Sequence, residues 1–291
     1  MREIERLDEM RAACAEARAA GGRLAFVPTM GFLHEGHLRL ARLAREHAPR
    51  VALSIFVNPL QFGPGEDFER YPRDAARDRG LAASAGVDLL WMPSVAEMYP
   101  EPPRVTVAPG AAGDVFEGAV RPGHFAGVLT VVLKLFEVVR PDIAVFGRKD
   151  VQQATLVRRM VADLGLGVAI VVAPTVREAD GLALSSRNVY LDAAARGRAV
   201  LLSRALGAGV ERYRRGERRG DALVAAARAV LAAEPGIAVD YVACIEPEEF
   251  SAAATATDAC VLALAARVGA TRLIDNVVLG EGLEGDVRAA G

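Results

Sequence analysis

The sequence predicts an α/β fold, a parallel sheet wound with helices, followed by a smaller α+β part. Three observations predict it. Residues 51–57 form a nearly continuous apolar run with β-branched members, as a strand covered on both faces requires. A helix over 127–139, stopped by Pro141, leads to a strand at 143–146, another helix reaching Leu164 and a strand at 168–173, the spacing of right-handed crossovers. After about residue 176 the pattern changes to helices followed by clustered strands. A first domain over 1–175 and a second, smaller domain over 176–291 are therefore expected.

The elements follow in order. Residues 1–20 read as an amphipathic helix, and 24–28 as a strand. The turn Pro28-Thr29-Met30-Gly31 then leads into a helix through His37, with apolar positions at helical spacing until Pro49. The strand at 51–57 is ended by Asn58-Pro59, and Gly63-Pro64-Gly65 marks a loop. A short strand follows at 87–91, and Asp150 is suited to cap the helix that runs to Leu164. In the second domain, 193–213 and 222–233 read as helices, and 239–245, 261–266 and 273–279 as strands. A tight turn at Gly269 joins the last pair of strands.

Composition narrows the function. A chain of 291 residues, 52% hydrophobic and 25% charged, has the make-up of a globular enzyme. A formal net charge of −2 gives no basic field to favour nucleic acid. No run reaches the ~18 apolar residues of a membrane helix, and the charged first 23 residues lack the apolar core of a signal peptide. Three cysteines, Cys14, Cys244 and Cys260, lack metal-ligand spacing and are expected to be reduced and buried. A cytoplasmic enzyme without a nucleic-acid or membrane partner is expected.

The scarce polar residue types cluster. The chain has 4 His, three Asn, three Gln and two Lys, and ten of these twelve fall within 28–40, 54–64, 121–153 and 180–190. His34-Glu35-Gly36-His37 stands where a strand hands over to a helix, whose first turn offers unpaired N–H groups and the positive end of the dipole. The residues alone leave three roles open for this pair: capping, metal binding, or donation to phosphate oxygens. Asn58 and Gln61 follow the next strand; an amide there suits a neutral hydroxyl, or it forms an Asx turn. Gly147-Arg148-Lys149-Asp150 repeats the strand-to-helix handover with a compact cation, and Gln153 lies one turn into the helix. Leu184-Ser185-Ser186-Arg187 offers hydroxyls and a guanidinium for an anion, or a helix cap, at the domain changeover.

Taken together, these segments resemble the pantoate–β-alanine ligase family, the pantothenate synthetases. The resemblance spans nearly the whole chain and includes Arg121-Pro122-Gly123-His124-Phe125 and Arg272-Leu273-Ile274-Asp275-Asn276. It implies a Rossmann-like nucleotidylyltransferase domain carrying ATP and pantoate, and a smaller α+β domain carrying a phosphate-binding flap. It implies that pantoate carboxylate attacks the α-phosphorus of ATP to give pantoyl adenylate and pyrophosphate, and that β-alanine then releases AMP. Carried over by that likeness, Met30, Gly31, Phe32, Leu33, His34, Glu35, Gly36 and His37 line ATP, as do Gly147, Arg148, Lys149, Asp150, Val176, Leu184, Ser185, Ser186 and Arg187. His37, His34 and Lys149 are the implied catalytic set, with His37 the general acid. Gln61, Gln153 and Asn58 are the implied pantoate set, with Gln61 beside β-alanine. Mg²⁺ would travel with the ATP phosphates, and a homodimer is implied. Arg148 departs from the family's pattern, which has an acidic or amide residue there. An adenylyltransferase acting on a phosphate-bearing acceptor would instead be expected to carry basic residues where Gln61 and Gln153 stand.

Overall fold

The computed structural model describes residues 1–20 and 22–289. They divide into two compact units. The first comprises Met1–Gly113, Arg121–Gly147 and Leu156–Ala173, and the second Asp114–Val120, Arg148–Thr155 and Pro174–Gly291. The last passage between them, after Ala173, lies two residues from the expected change at 175/176. Two short segments expected in the N-terminal domain, Asp114–Val120 and Arg148–Thr155, group with the second unit.

The first unit is built on a six-stranded, wholly parallel sheet. Its strands are β1 (Arg2–Ile4), β2 (Leu24–Thr29), β3 (Arg50–Ile55), β4 (Leu89–Trp91), β5 (Ile143–Gly147) and β6 (Ala169–Ala173), in the order β1-β4-β3-β2-β5-β6. The helices are α1 (Leu7–Ala19), α2 (Glu35–His47), α3 (Ala75–Ser84), α4 (Val95–Met98) and α6 (His124–Val139); α5 (Glu117–Val120) belongs to the second unit, and α7 (Val151–Asp163) starts there and ends in the first.

Alternation along β2 shows why its strand reads as continuously apolar. Ala25 and Val27 join a buried cluster with Leu38, Ala41 and Ala44 of α2. Phe26, pointing the other way, meets Phe136 of α6 edge-on at 6.4 Å, and Phe146 of β5 meets the same ring at 6.4 Å. With both faces covered there is no polar face to write into the sequence. Each fully buried side chain of this kind contributes roughly 1.5–3 kcal/mol. The order reverses at β2, from which the chain proceeds to β3 on one side and later to β5 on the other. In parallel sheets, ligands bind beyond the carboxyl ends of strands at such a reversal.

The second unit holds a four-stranded antiparallel sheet in the order β11-β10-β8-β9, from β8 (Ile237–Glu246), β9 (Ser251–Ala252), β10 (Val261–Val268) and β11 (Thr271–Val278). Helices α8 (Ala193–Arg214) and α9 (Gly220–Ala232) cover it through Leu206, Val210, Leu223, Leu262 and Leu264. The Asp192 side chain caps α8 by accepting from the Ala195 N–H at 2.7 Å. A parallel pair, β7 (Val176–Arg177) and β12 (Val287–Arg288), completes the unit.

One expectation is corrected, and two features were not foreseen. The first 20 residues are not one helix, because Arg2–Ile4 forms an edge strand before α1. Only Ile4 of that strand is buried, so it left no alternating pattern. Helix α3 was not foreseen; Asp74 caps it by accepting from the Arg77 N–H at 3.0 Å. The pair β7–β12 joins residues more than 100 positions apart, a pairing no local pattern encodes.

Candidate active site

In the first unit, β2 ends at Thr29 and the chain turns sharply before α2. The Thr29 hydroxyl donates to the Ser54 carbonyl at 2.8 Å and accepts from the Gly31 N–H at 3.1 Å. Gly31 sits at φ +81°, and a Cβ there would lie 2.7 Å from Ile55 Cγ2, so the turn requires glycine on two counts. Phe32 follows at φ +48°, and Leu33 is fully buried. His34 is the N-cap of α2 and His37 stands one turn in. Their rings stack with centroids 4.1 Å apart and planes 32° apart.

The His34 backbone N–H donates to His37 Nδ1 at 3.3 Å. An accepting Nδ1 in the neutral ring leaves the proton on Nε2. The capping role left open by the sequence is thus real for His37. It does not displace a catalytic role, because it leaves Nε2–H as a donor at the positive end of a helix.

Beyond β3, Asn58 opens a 3-10 turn, Pro59–Gln61. The Asn58 amide is fully engaged. Its Nδ2 donates to Gln61 Oε1 and to the Gly127 carbonyl, each at 3.1 Å. Its Oδ1 accepts from the Tyr99 hydroxyl at 2.9 Å and from the Leu60 N–H at 3.4 Å. The Asx turn is therefore present. Burial raises the Tyr99 hydroxyl pKa well above its ordinary value, which keeps it a donor. Gln61 is 7% exposed, and its Nε2 lies 3.1 Å from Met30 Sδ. Its carbonyl is held by His124 Nδ1 at 2.8 Å and by Arg121 Nη2 at 3.2 Å. Arg121 in turn chelates Glu66 at 2.9 and 2.5 Å. Although burial opposes ionisation of Glu66, its bonds to Arg121 and the nearby charges of Arg121 and His124 hold its pKa below the usual carboxylate range. The Arg121–His124 segment thus clamps the backbone of Gln61. Contacts of this kind need the fold to be seen.

In the second unit, Arg148–Asp150 forms a 3-10 turn directly after β5. Asn276 Nδ2 donates to the carbonyls of Arg148 and Lys149, each at 2.9 Å. Lys149 Nζ has Asp150 Oδ2 3.9 Å away. The Arg148 guanidinium is engaged by Glu281 at 2.5 Å and Asp286 at 2.9 Å. Asp286 also binds Arg177 at 2.6 Å, and Arg177 meets Asp275 through two bonds of 2.7 and 2.9 Å. Arg177 is 1% exposed, so this is a buried charge cluster of the costly kind unless every member is paired. The departure at Arg148 is therefore accommodated by two carboxylates.

Gln152 is structural; it accepts from the Glu117 N–H at 3.1 Å and donates to the Val115 carbonyl at 2.9 Å. Gln153, its neighbour, is half-buried on the first turn of α7. The carbonyl of Val176 accepts from the Leu184 N–H at 2.9 Å. Ser185 is the N-cap of a 3-10 turn, Ser186–Tyr190, with Oγ accepting from the Arg187 N–H at 3.3 Å. The cap left open for this loop is thus present, and Ser186 is buried at its start. Among the described residues no group of three or more His, Cys, Asp or Glu side chains assembles into a metal cluster. No described helix is long and apolar enough to cross a membrane.

A family model described as pantoate-beta-alanine ligase matches residues 2–278. The pantothenate synthetase of Chloroflexus aurantiacus is 55% identical over 269 residues, covering 92% of this chain and 96% of that protein. That of Heliobacterium modesticaldum is 52% identical over 279 residues, covering 96% and 99%. Among solved structures, the pantothenate synthetase of Thermus thermophilus superposes with a TM-score of 0.90 at 48% identity, over 96% of this chain and 99% of that one. The pantoate-beta-alanine ligase of Francisella tularensis, solved in complex with beta-gamma ATP and beta-alanine, gives a TM-score of 0.79 at 30% identity, over 97% and 99%.

Proposed function

The chain belongs to the pantoate–beta-alanine ligase family, and from that premise we infer how its residues divide the work. It is an ATP-dependent ligase that condenses pantoate with β-alanine. A carboxylate is a poor acyl donor, so we propose activation first. A pantoate carboxylate oxygen attacks the α-phosphorus of ATP, the bond to the β-phosphate bridging oxygen breaks, and pyrophosphate leaves. The free amine of β-alanine then attacks the acyl carbon of pantoyl adenylate. AMP departs with the mixed-anhydride oxygen, and the amine loses a proton. Shielding the adenylate from water is what a binding site adds to this chemistry.

The observation that carries this reading is the stacked His34–His37 pair at the start of α2, immediately after a central strand of a parallel sheet. In the proposed scheme His34 and His37 donate hydrogen bonds to phosphate oxygens as charge develops, with His37 Nε2–H the donor to the leaving pyrophosphate. Met30 to Gly36 provide the ATP-lining backbone. Lys149 neutralises phosphate charge, with Gly147, Arg148 and Asp150 contributing backbone beside it. Val176, Leu184, Ser185, Ser186 and Arg187 form the phosphate loop. Gln61 and Gln153 hold the hydroxyls and carboxylate of pantoate, and Asn58 fixes the orientation of Gln61. Mg²⁺ is assigned to the ATP phosphates, where it commonly rests. A homodimer in the cytoplasm belongs to the same proposal.

Exchange of pyrophosphate with ATP tests the two-step order. It is expected to need pantoate but not β-alanine. Exchange without pantoate, or only with β-alanine present, would overturn it.

A further inference from the structure

Helix α3 carries a carboxylate that the ligase scheme does not use. Asp78 is 1% exposed. Its Oδ2 accepts from the Phe32 N–H and its Oδ1 from the Leu33 N–H, each at 2.7 Å. Both oxygens thus go to consecutive backbone amides some 45 positions away, in the turn that ends at His34. These are charge-assisted bonds of the short, strong kind. They fall where the backbone needs them. Phe32 is a bulky residue at φ +48°, a conformation that persists only when its surroundings over-determine it.

The surroundings do so from three sides. Gly31 has room for no Cβ, since it would lie 2.7 Å from Ile55 Cγ2 and 3.1 Å from Asp78 Oδ2. Arg77, the neighbour of Asp78 on α3, places its guanidinium 5.0 Å from the Phe32 ring centroid. Burial pushes the Asp78 carboxyl pKa up, while the Leu33 and Phe32 amides act in the opposite sense. The clamp therefore ends one residue before the N-cap histidine, whose own N–H fixes the His37 ring.

We propose that Asp78 is a positioning residue for the reaction: it locks the Gly31–Leu33 turn and thereby sets where the His34 and His37 rings stand. The proposal rests on the ligase reading for the role of those rings. No sequence pattern hints at it, because Asp78 lies outside every segment where the scarce polar residues cluster.

The chain has four histidines, His34, His37, His47 and His124, so its ring carbon–proton signals are few enough to assign. In Asp78→Asn, one acceptor becomes an NH2 facing an amide N–H. The His34 and His37 signals should shift while those of His47 hold, and kcat for pantoate-dependent exchange should fall about 10²-fold per folded molecule. A folded Asp78→Asn with parental His34 and His37 signals and parental kcat overturns the proposal. Merely lost stability would lower the melting temperature but leave both readouts of the folded molecules in place. Should Asp78→Asn not fold, Asp78→Glu decides, since it keeps the charge but moves the oxygens by one methylene. Displaced His34 and His37 signals with reduced kcat support the proposal; parental values overturn it. Failure of both variants to fold assigns Asp78 to stability alone and also overturns it. Absence of pantoate-dependent exchange in the unmodified enzyme would instead defeat the ligase reading, and the ring signals would still report on the clamp.

Discussion

Gln61 and Gln153 bring the substrate question down to single amides. The Gln61 side chain reaches Asn58 and Met30 and is nearly buried; in the proposed scheme its truncation would leave a polar group of pantoate unpaired. Gln61→Ala and Gln153→Ala should each raise the pantoate KM roughly 5–150-fold, the range for about 1–3 kcal/mol, with little change for ATP. Steady-state titration of both substrates checks this, and an equal loss for ATP would mean that the amides only support the fold. Lys149→Ala should slow adenylation ~10²–10³-fold with little change in melting temperature, as the carboxylate beside its ammonium, that of Asp150, stands 3.9 Å away. A large drop in melting temperature with normal turnover would make Lys149 structural. His34, His37, Lys149 and the glutamines stand out in the sequence as candidates because such residues are rare in this Arg-rich chain. Asp78 does not stand out, because 37 acidic residues look alike until one is seen buried against two amides.

At the scale of elements, α6 and the Pro59–Gln61 turn are locked by one glycine. A Cβ on Gly127 would lie 2.2 Å from the Leu60 carbonyl oxygen and 2.7 Å from the Gln61 nitrogen. Backbone on both sides leaves nothing flexible to yield. Gly127→Ala should therefore destabilise by about 1–3 kcal/mol and, by displacing Gln61, raise the pantoate KM. A melting curve and one substrate titration read the two effects, and normal values for both would show that α6 can slide. Strands buried on both faces were legible from their apolar runs, as β3 and β5 show. Elements held by distant partners were not. Strand β1 is three residues long at the sheet edge, and β7 takes its partner from near the end of the chain. A local window cannot contain either reason.

For the molecule as a whole, the sequence shows a change of pattern near residue 176, but nothing in it marks Asp114–Val120 as grouping with the second unit. There Arg272 chelates Glu117 at 2.5 and 2.8 Å and binds Asp240 at 2.7 Å. The three thiols are distributed unevenly over the same division. Cys14 belongs to the first unit, and Cys244 and Cys260 to the second; all three are buried and free. Burial pushes the Cys14 and Cys244 thiols up to about 12, so at pH 8 only about one in 10⁴ of either is thiolate, the reactive form. With all three thiols buried, the native chain should give almost no fast colour with an aromatic disulfide reagent. In rising urea the stoichiometry becomes a label of place: one equivalent released first would name the parallel-sheet unit as the weaker, two would name the other, and three at once would show that both open in a single cooperative step. The chain thus carries its own unfolding reporter.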